Sequence, residues 1–187
     1  MPHLYYPPVN SERIDAFPSR YLGTTRPVEI LLPLGYDEHP EQRFRLLILN
    51  DGQELAALGL PSTLARLQAE HRLAPLLVVA VHATRDRLVE YGTIGVANGY
   101  RQGTRAAGYR AFLREELLPA ITQRYRVLGG PEHTAIAGFS LGGLTAFDLA
   151  WTHPDVFGSV GVFSGSFWWR TDNSSVRAKV ATRIMYH

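Results

Sequence analysis

Residues 134–147, TAIAGFSLGGLTAF, decide how this chain folds. The run HTAIAGF is short and almost wholly apolar, the mark of a strand buried on both faces, and LGGLTAFDLAWTH has helical character. Between them, Gly138-Phe139-Ser140-Leu141-Gly142 fits the pattern G-x-S-x-G. In a chain with 17 glycines the bare pattern is cheap. A strand before it and a helix after it are what turn it into a nucleophile elbow. The bend is so sharp that residues two either side of the serine approach each other, so 138 and 142 must be small, and Gly143 adds clearance. The helix N-terminus then aims backbone N–H groups and a positive partial charge at the bend, as a developing oxyanion requires. The competing reading is a Gly-rich turn that only packs closely or binds phosphate.

The flanking sequence repeats the alternation. RPVEILLP (core 27–33), RFRLLILN (43–50), PLLVVAVHA (75–83) and GSVGVFSG (158–165) read as strands. LPSTLARLQAEHR (60–72) reads as a helix. So does 105–125, where Tyr109, Leu113, Leu117 and Ile121 recur one turn apart and Pro119 predicts a kink or break. The tail 174–187 predicts a helix capped by Ser174 or Ser175. Strands alternating with helices imply right-handed βαβ units and a mostly parallel sheet covered on both faces. The fold class is α/β: one domain over 1–187, with residues 1–20 an extension or a first strand.

Composition narrows the function classes. The 187 residues are 45% hydrophobic and 19% charged, with a net charge of +2. All but one of the 19 basic residues are Arg, scattered rather than clustered, which argues against a nucleic-acid footprint. With no Cys, disulfides, thiolate catalysis and Cys-ligated zinc are excluded. The N-terminus has no signal-like apolar core, and no run approaches the ~20 residues a membrane span needs. The expectation is a cytoplasmic protein without membrane association. No His/Asp/Glu cluster has metal-ligand spacing and no nucleotide-binding glycine motif occurs, so no cofactor is expected.

An oxyanion hole needs two donors. The residue after the nucleophile, Leu141, supplies one, and a loop after an earlier strand supplies the other. LILNDGQE offers that loop: Gly52 gives it conformational freedom, letting the N–H of Gln53 turn towards Ser140. An Asp-Gly turn with no further role is the alternative.

Taken together, the YLGTTRPVEILLPLGYDEHPEQRFRLLILNDGQE segment, EELLP, IAGFSLGGLTAFDLAWTHPDVFG and VFSGSFWW resemble the enterochelin esterase and esterase D group of α/β-hydrolases, over about residues 20–187. The mycolyltransferases are more distant relatives. The resemblance implies an α/β-hydrolase fold and hydrolysis of a small-molecule ester through an acyl-serine intermediate. It makes Ser140 the nucleophile, Gln53 and Leu141 the oxyanion donors, and Asp51 a substrate contact. Trp168 and Trp169, after the strand that follows the elbow, fall on the edge where ligands collect in such sheets. There they wall a pocket, or else belong to the core or the surface.

The base is the departure from the pattern. In this fold the triad runs Ser, Asp or Glu, then His. Only His153 and His187 follow Ser140. His153 lies down the nucleophile helix, ~20 Å away at 1.5 Å per residue, and a tail helix would carry His187 roughly as far. No Glu follows Ser140, and Asp172 is the acid on the correct side. His82 ends a strand on the catalytic edge but would break the order. Relatives run on past this point with strands that carry the acid and the histidine. The expectation is therefore a C-terminally truncated chain whose missing strands leave an exposed sheet edge, open to homo-oligomer formation. Two other functions use the same chain: a catalytically incomplete binding or assembly module, and acyl transfer from the same serine. In 84–93, Arg85, Arg87, Glu90 and Tyr91 either bind a polar substrate group or form a solvated, ion-paired loop.

Overall fold

Two residue parities divide the core. In the computed structural model, which describes residues 6–93, 95–172, 174, 175 and 177, each central strand sends alternate side chains to opposite faces. Leu46, Ile48, Leu77, Val79, Val81 and Ile136 join one cluster, while Leu49, Val78, Ala80 and Ala137 join the other. This is why those runs are apolar throughout rather than alternating.

Six strands form one sheet: β1 (Ser11–Ser19), β2 (Thr24–Leu31), β3 (Arg45–Asn50), β4 (Leu76–Val81), β5 (Thr134–Phe139) and β6 (Ser159–Phe163), in the order β1-β2-β4-β3-β5-β6. The pairs β4–β3, β3–β5 and β5–β6 are parallel, and β1–β2 and β2–β4 antiparallel. Helix α1 (Leu60–Ala69) covers one face through Leu64 and Ala65. The other face carries α3 (Ala106–Ala111), α4 (Leu118–Arg124) and α5 (Ser140–Thr152). A four-residue helix, α2 (Arg87–Glu90), lies in the loop after β4.

The predicted strands and helices are present, with differences that have physical causes. Residues 11–19, an extension or first strand by sequence, form β1; its half-exposed, polar pattern carries little hydrophobic signal. The predicted helix 105–125 is interrupted by a π-helical stretch, Phe112–Leu117, just before Pro119. Proline has no N–H to donate and its ring crowds the carbonyl four residues back, and the wider i→i+5 turn accommodates both. The predicted tail helix falls largely outside the described residues.

At β6 the sheet ends, among the described residues, with Val160 39% and Phe163 52% exposed. Phe163 stacks on Phe139, and beside them an apolar groove of about 490 Å³ runs over Leu47, Leu49 and Ala137. The C-terminal ends of β3, β4, β5 and β6 share one edge, and the loops that leave it build the site.

Candidate active site

Ser140 sits at the tip of the β5–α5 turn, exposed, with φ 51°. A non-glycine residue in the left-handed region is strained and persists only where its surroundings enforce it. Here the enforcement is close packing of glycines. A Cβ on Gly138 would lie 2.4 Å from the Gly142 carbonyl oxygen, and one on Gly143 would lie 2.9 Å from that of Gly138. A Cβ on Gly142 would meet the Asp51 carboxylate at 2.6 Å. The glycine spacing read from sequence is therefore a steric necessity of this bend. Ser140 opens α5 and Leu141 follows it, in the first turn, where the N–H groups have no intrahelical acceptor.

Ser166 completes the elbow. Its N–H donates to the Ser140 carbonyl at 3.1 Å, and the two hydroxyl oxygens lie 3.3 Å apart. Ser166 is 3% exposed. The sequence reading did not single it out, although it belongs to the SGSFWW segment; only the return of the chain after β6 brings it to Ser140.

The loop after β3 docks on the same bend. Asn50 donates from Nδ2 to the Gly142 carbonyl at 2.9 Å and accepts from the Tyr109 hydroxyl at 2.8 Å. Asp51 is the left-handed residue, at φ 62°, and Gly52–Glu54 form one 3₁₀ turn. The freedom assigned to Gly52 is thus used one residue earlier. Gly52 is glycine for space, since a Cβ there would lie 2.7 Å from the Ala80 backbone. Gln53 accepts the Ala83 N–H through Oε1 at 2.9 Å, while its own N–H lies in the first turn of the 3₁₀ segment.

Asp51, expected as a substrate contact, is 4% exposed and bound on both oxygens by Arg87, Nε to Oδ1 at 2.7 Å and Nη2 to Oδ2 at 2.8 Å. Its carboxylate is committed to holding the loop. Arg87 lies over the Tyr91 ring, and hydrogen bonding to Asp51 raises its pKa. Glu90 and Tyr91 are fully buried, so this part of 84–93 is neither a solvated loop nor a substrate-facing surface. Glu90 pairs with buried Arg26, and the Tyr91 hydroxyl accepts the Asp51 N–H at 3.3 Å. Burial pushes the Tyr91 and Tyr109 phenols well above their usual range, so both stay protonated and Tyr109 can donate to Asn50.

The two tryptophans part company. Trp169 is 1% exposed, fills the space above Gly92 and Gly103, and donates to the Val96 carbonyl at 3.1 Å; it is a core residue. Trp168 is 49% exposed on the catalytic edge.

Neither described histidine of interest reaches Ser140. His153 caps the far end of the 13-residue α5, ~20 Å away. His82 leaves β4, two strand spacings or ~10 Å from β5. Its Nε2 faces Glu29 at 3.9 Å, and burial and Arg13 lower its pKa. Asp172 accepts the Ser174 N–H at 2.7 Å, which lowers its pKa. His187 lies outside the described residues. Among the described residues no His/Asp/Glu group could hold a metal ion, and no helix is long and apolar enough to cross a membrane.

A strand-serine-helix elbow faced by the loop after β3, at the carboxyl edge of a mostly parallel sheet, is the architecture of an α/β-hydrolase. The chain belongs to the family described as "Putative esterase", which matches residues 19–184. It is 26% identical over 171 residues to YbbA of Bacillus subtilis (strain 168), described as uncharacterized, covering 89% of this chain and 56% of YbbA. Its structure is similar to the enterobactin esterase FES of Shigella flexneri (TM-score 0.71, 25% identity), over 88% of this chain and 38% of that one. It is also similar to the ferulic acid esterase AmCE1/Fae1A of Anaeromyces mucronatus (TM-score 0.65, 25% identity), over 88% of this chain and 61% of that one. The chain thus spans little more than half the length of YbbA.

Proposed function

We propose that this chain carries the nucleophile and oxyanion hole of a serine carboxylic-ester hydrolase. The observation that carries this is Ser140 itself: exposed, in a strained conformation, at a helix N-terminus and with the Asn50–Gln53 loop docked on its elbow. Ser140 Oγ attacks the carbonyl carbon of a small-molecule ester as its proton passes to a general base. The tetrahedral oxyanion is held by the N–H groups of Leu141 and Gln53. Collapse expels the alcohol, protonated by the same base, and leaves an acyl-serine that water then hydrolyses. The base and its acid come, in this proposal, from sequence following residue 187, since His82 leaves a strand two spacings from β5 and His153 caps the far end of α5.

The test is ester cleavage by the protein and by Ser140→Ala, on short aryl esters and on feruloyl and catecholate esters of the kinds the neighbours' names suggest. Loss of turnover in the variant with unchanged thermal stability supports the proposal, and undiminished turnover refutes it. Adding an alcohol acceptor separates hydrolysis from acyl transfer, which needs the same serine.

A further inference from the structure

The second oxyanion donor has no rigid element of its own. The loop is a single 3₁₀ turn, Gly52–Glu54, entered through Asp51 at φ 62°, a conformation that a non-glycine residue keeps only when it is held there. What holds it comes from elsewhere in the chain. Arg87 grips both Asp51 oxygens in a fork, the geometry a guanidinium makes and an ammonium cannot. The fork is itself fixed. Arg87 stands at the start of α2, and Glu90, at its other end, is locked to fully buried Arg26. Arg26 packs over the rings of Tyr109 and Phe112, and the same Tyr109 donates to Asn50. Next to α2, the Gly92 N–H donates to the Thr145 hydroxyl, which donates in turn to the Leu141 carbonyl. The short segment from Arg87 to Gly92 is therefore linked both to the Asp51 loop and to the start of α5. It grips the Gln53 side through Arg87 and reaches the Leu141 side through Gly92 and Thr145.

We propose that Arg87 is a positioning residue for the oxyanion hole: its fork on Asp51 holds the loop in the left-handed turn that presents the Gln53 N–H to the elbow. This rests on the esterase reading for its consequence in rate, but not for its geometry. Arg87 is 29% exposed in its side chain and touches no reacting atom, so its loss should loosen the loop rather than remove a chemical step.

The experiment pairs a structural readout with a kinetic one. In Arg87→Gln, hydrogen–deuterium exchange of peptides spanning residues 50–55 should quicken about tenfold, with peptides of β5 and α5 unchanged. On an aryl ester, kcat should fall about 10- to 100-fold with little change in KM, since misplacing a donor by about 1 Å weakens only transition-state contacts. Arg87→Lys, which keeps the charge but not the fork, should recover only part of either effect. The double variant Arg87→Gln/Asp51→Asn should be no worse than the poorer single variant, because both remove one contact. Unchanged exchange in Arg87→Gln overturns the positioning role whatever the activity. Faster exchange with kcat unchanged overturns its link to catalysis. If wild-type protein shows no Ser140-dependent turnover while exchange responds as expected, the esterase reading fails and the anchoring role stands.

Discussion

Two turns on the same sheet edge solve the same problem in different ways. At the elbow, Ser140 is forced left-handed by its own neighbours in sequence, through glycines at 138, 142 and 143 that let backbone touch backbone. At the loop after β3, Asp51 is just as left-handed but is held by side chains far along the chain: Arg87 and Tyr91 bond Asp51 itself, and Tyr109 bonds the preceding Asn50. The first device is local and steric; the second is distant and made of hydrogen bonds and charge. A local device should fail all at once when altered, and a distributed one by degrees.

The largest effect belongs to the residue the elbow presents. With the base that the proposal assigns to sequence following residue 187 in place, Ser140→Ala should lower kcat for ester cleavage by about 10⁵-fold or more while leaving the melting temperature nearly unchanged. Steady-state kinetics beside a thermal melt checks both halves. Next comes the elbow's steric condition. Gly138→Ala puts a methyl 2.4 Å from a backbone oxygen that cannot yield without unmaking the bend. It should cost ~3 kcal/mol or more in denaturant unfolding, at the upper end of overpacking penalties. The loop should prove more forgiving. Tyr109→Phe deletes the donor to Asn50 and leaves a buried acceptor unpaired, at a cost of ~1–2 kcal/mol. Equal losses in the two turns would erase the distinction between them.

The smallest effect is a pH dependence from His82, beside the loop. Burial and Arg13 lower its folded-state pKa from the ordinary 6.5. The unfolded chain therefore takes up a proton that the folded state refuses, so the contribution is intact above about pH 6.5 and is lost as pH falls below it. Melting temperatures between pH 7.5 and 5.5 should decline slightly, and His82→Gln should flatten part of that slope. The remainder belongs to His153, whose pKa is lowered by burial, Arg114 and Arg110.

This contrast also explains what could be read in advance. The strands β2 to β6, the sharp turn at Ser140 and its glycines were legible because apolar runs and close-packed glycines write their requirements into adjacent residues. Strand β1 was legible only as one of two readings, since an antiparallel edge strand with polar, half-exposed residues also looks like an extension. Arg87 was visible only as a charge in a loop, because its pairing with Asp51 depends on β4 lying beside β3 in the sheet. Trp169 and Trp168 are adjacent in sequence, yet only their surroundings separate a core ring from an exposed one. Ser166 needed the turn after β6, where Ser164 is again left-handed at φ 51°, to bring its hydroxyl to Ser140.

The most direct test of the central claim is the mass of the protein before and after treatment with a fluorophosphonate, with the modified peptide located by fragmentation. The account predicts one adduct, on the peptide that carries Ser140, and none in Ser140→Ala. An adduct on any other residue, or one that survives Ser140→Ala, would contradict it.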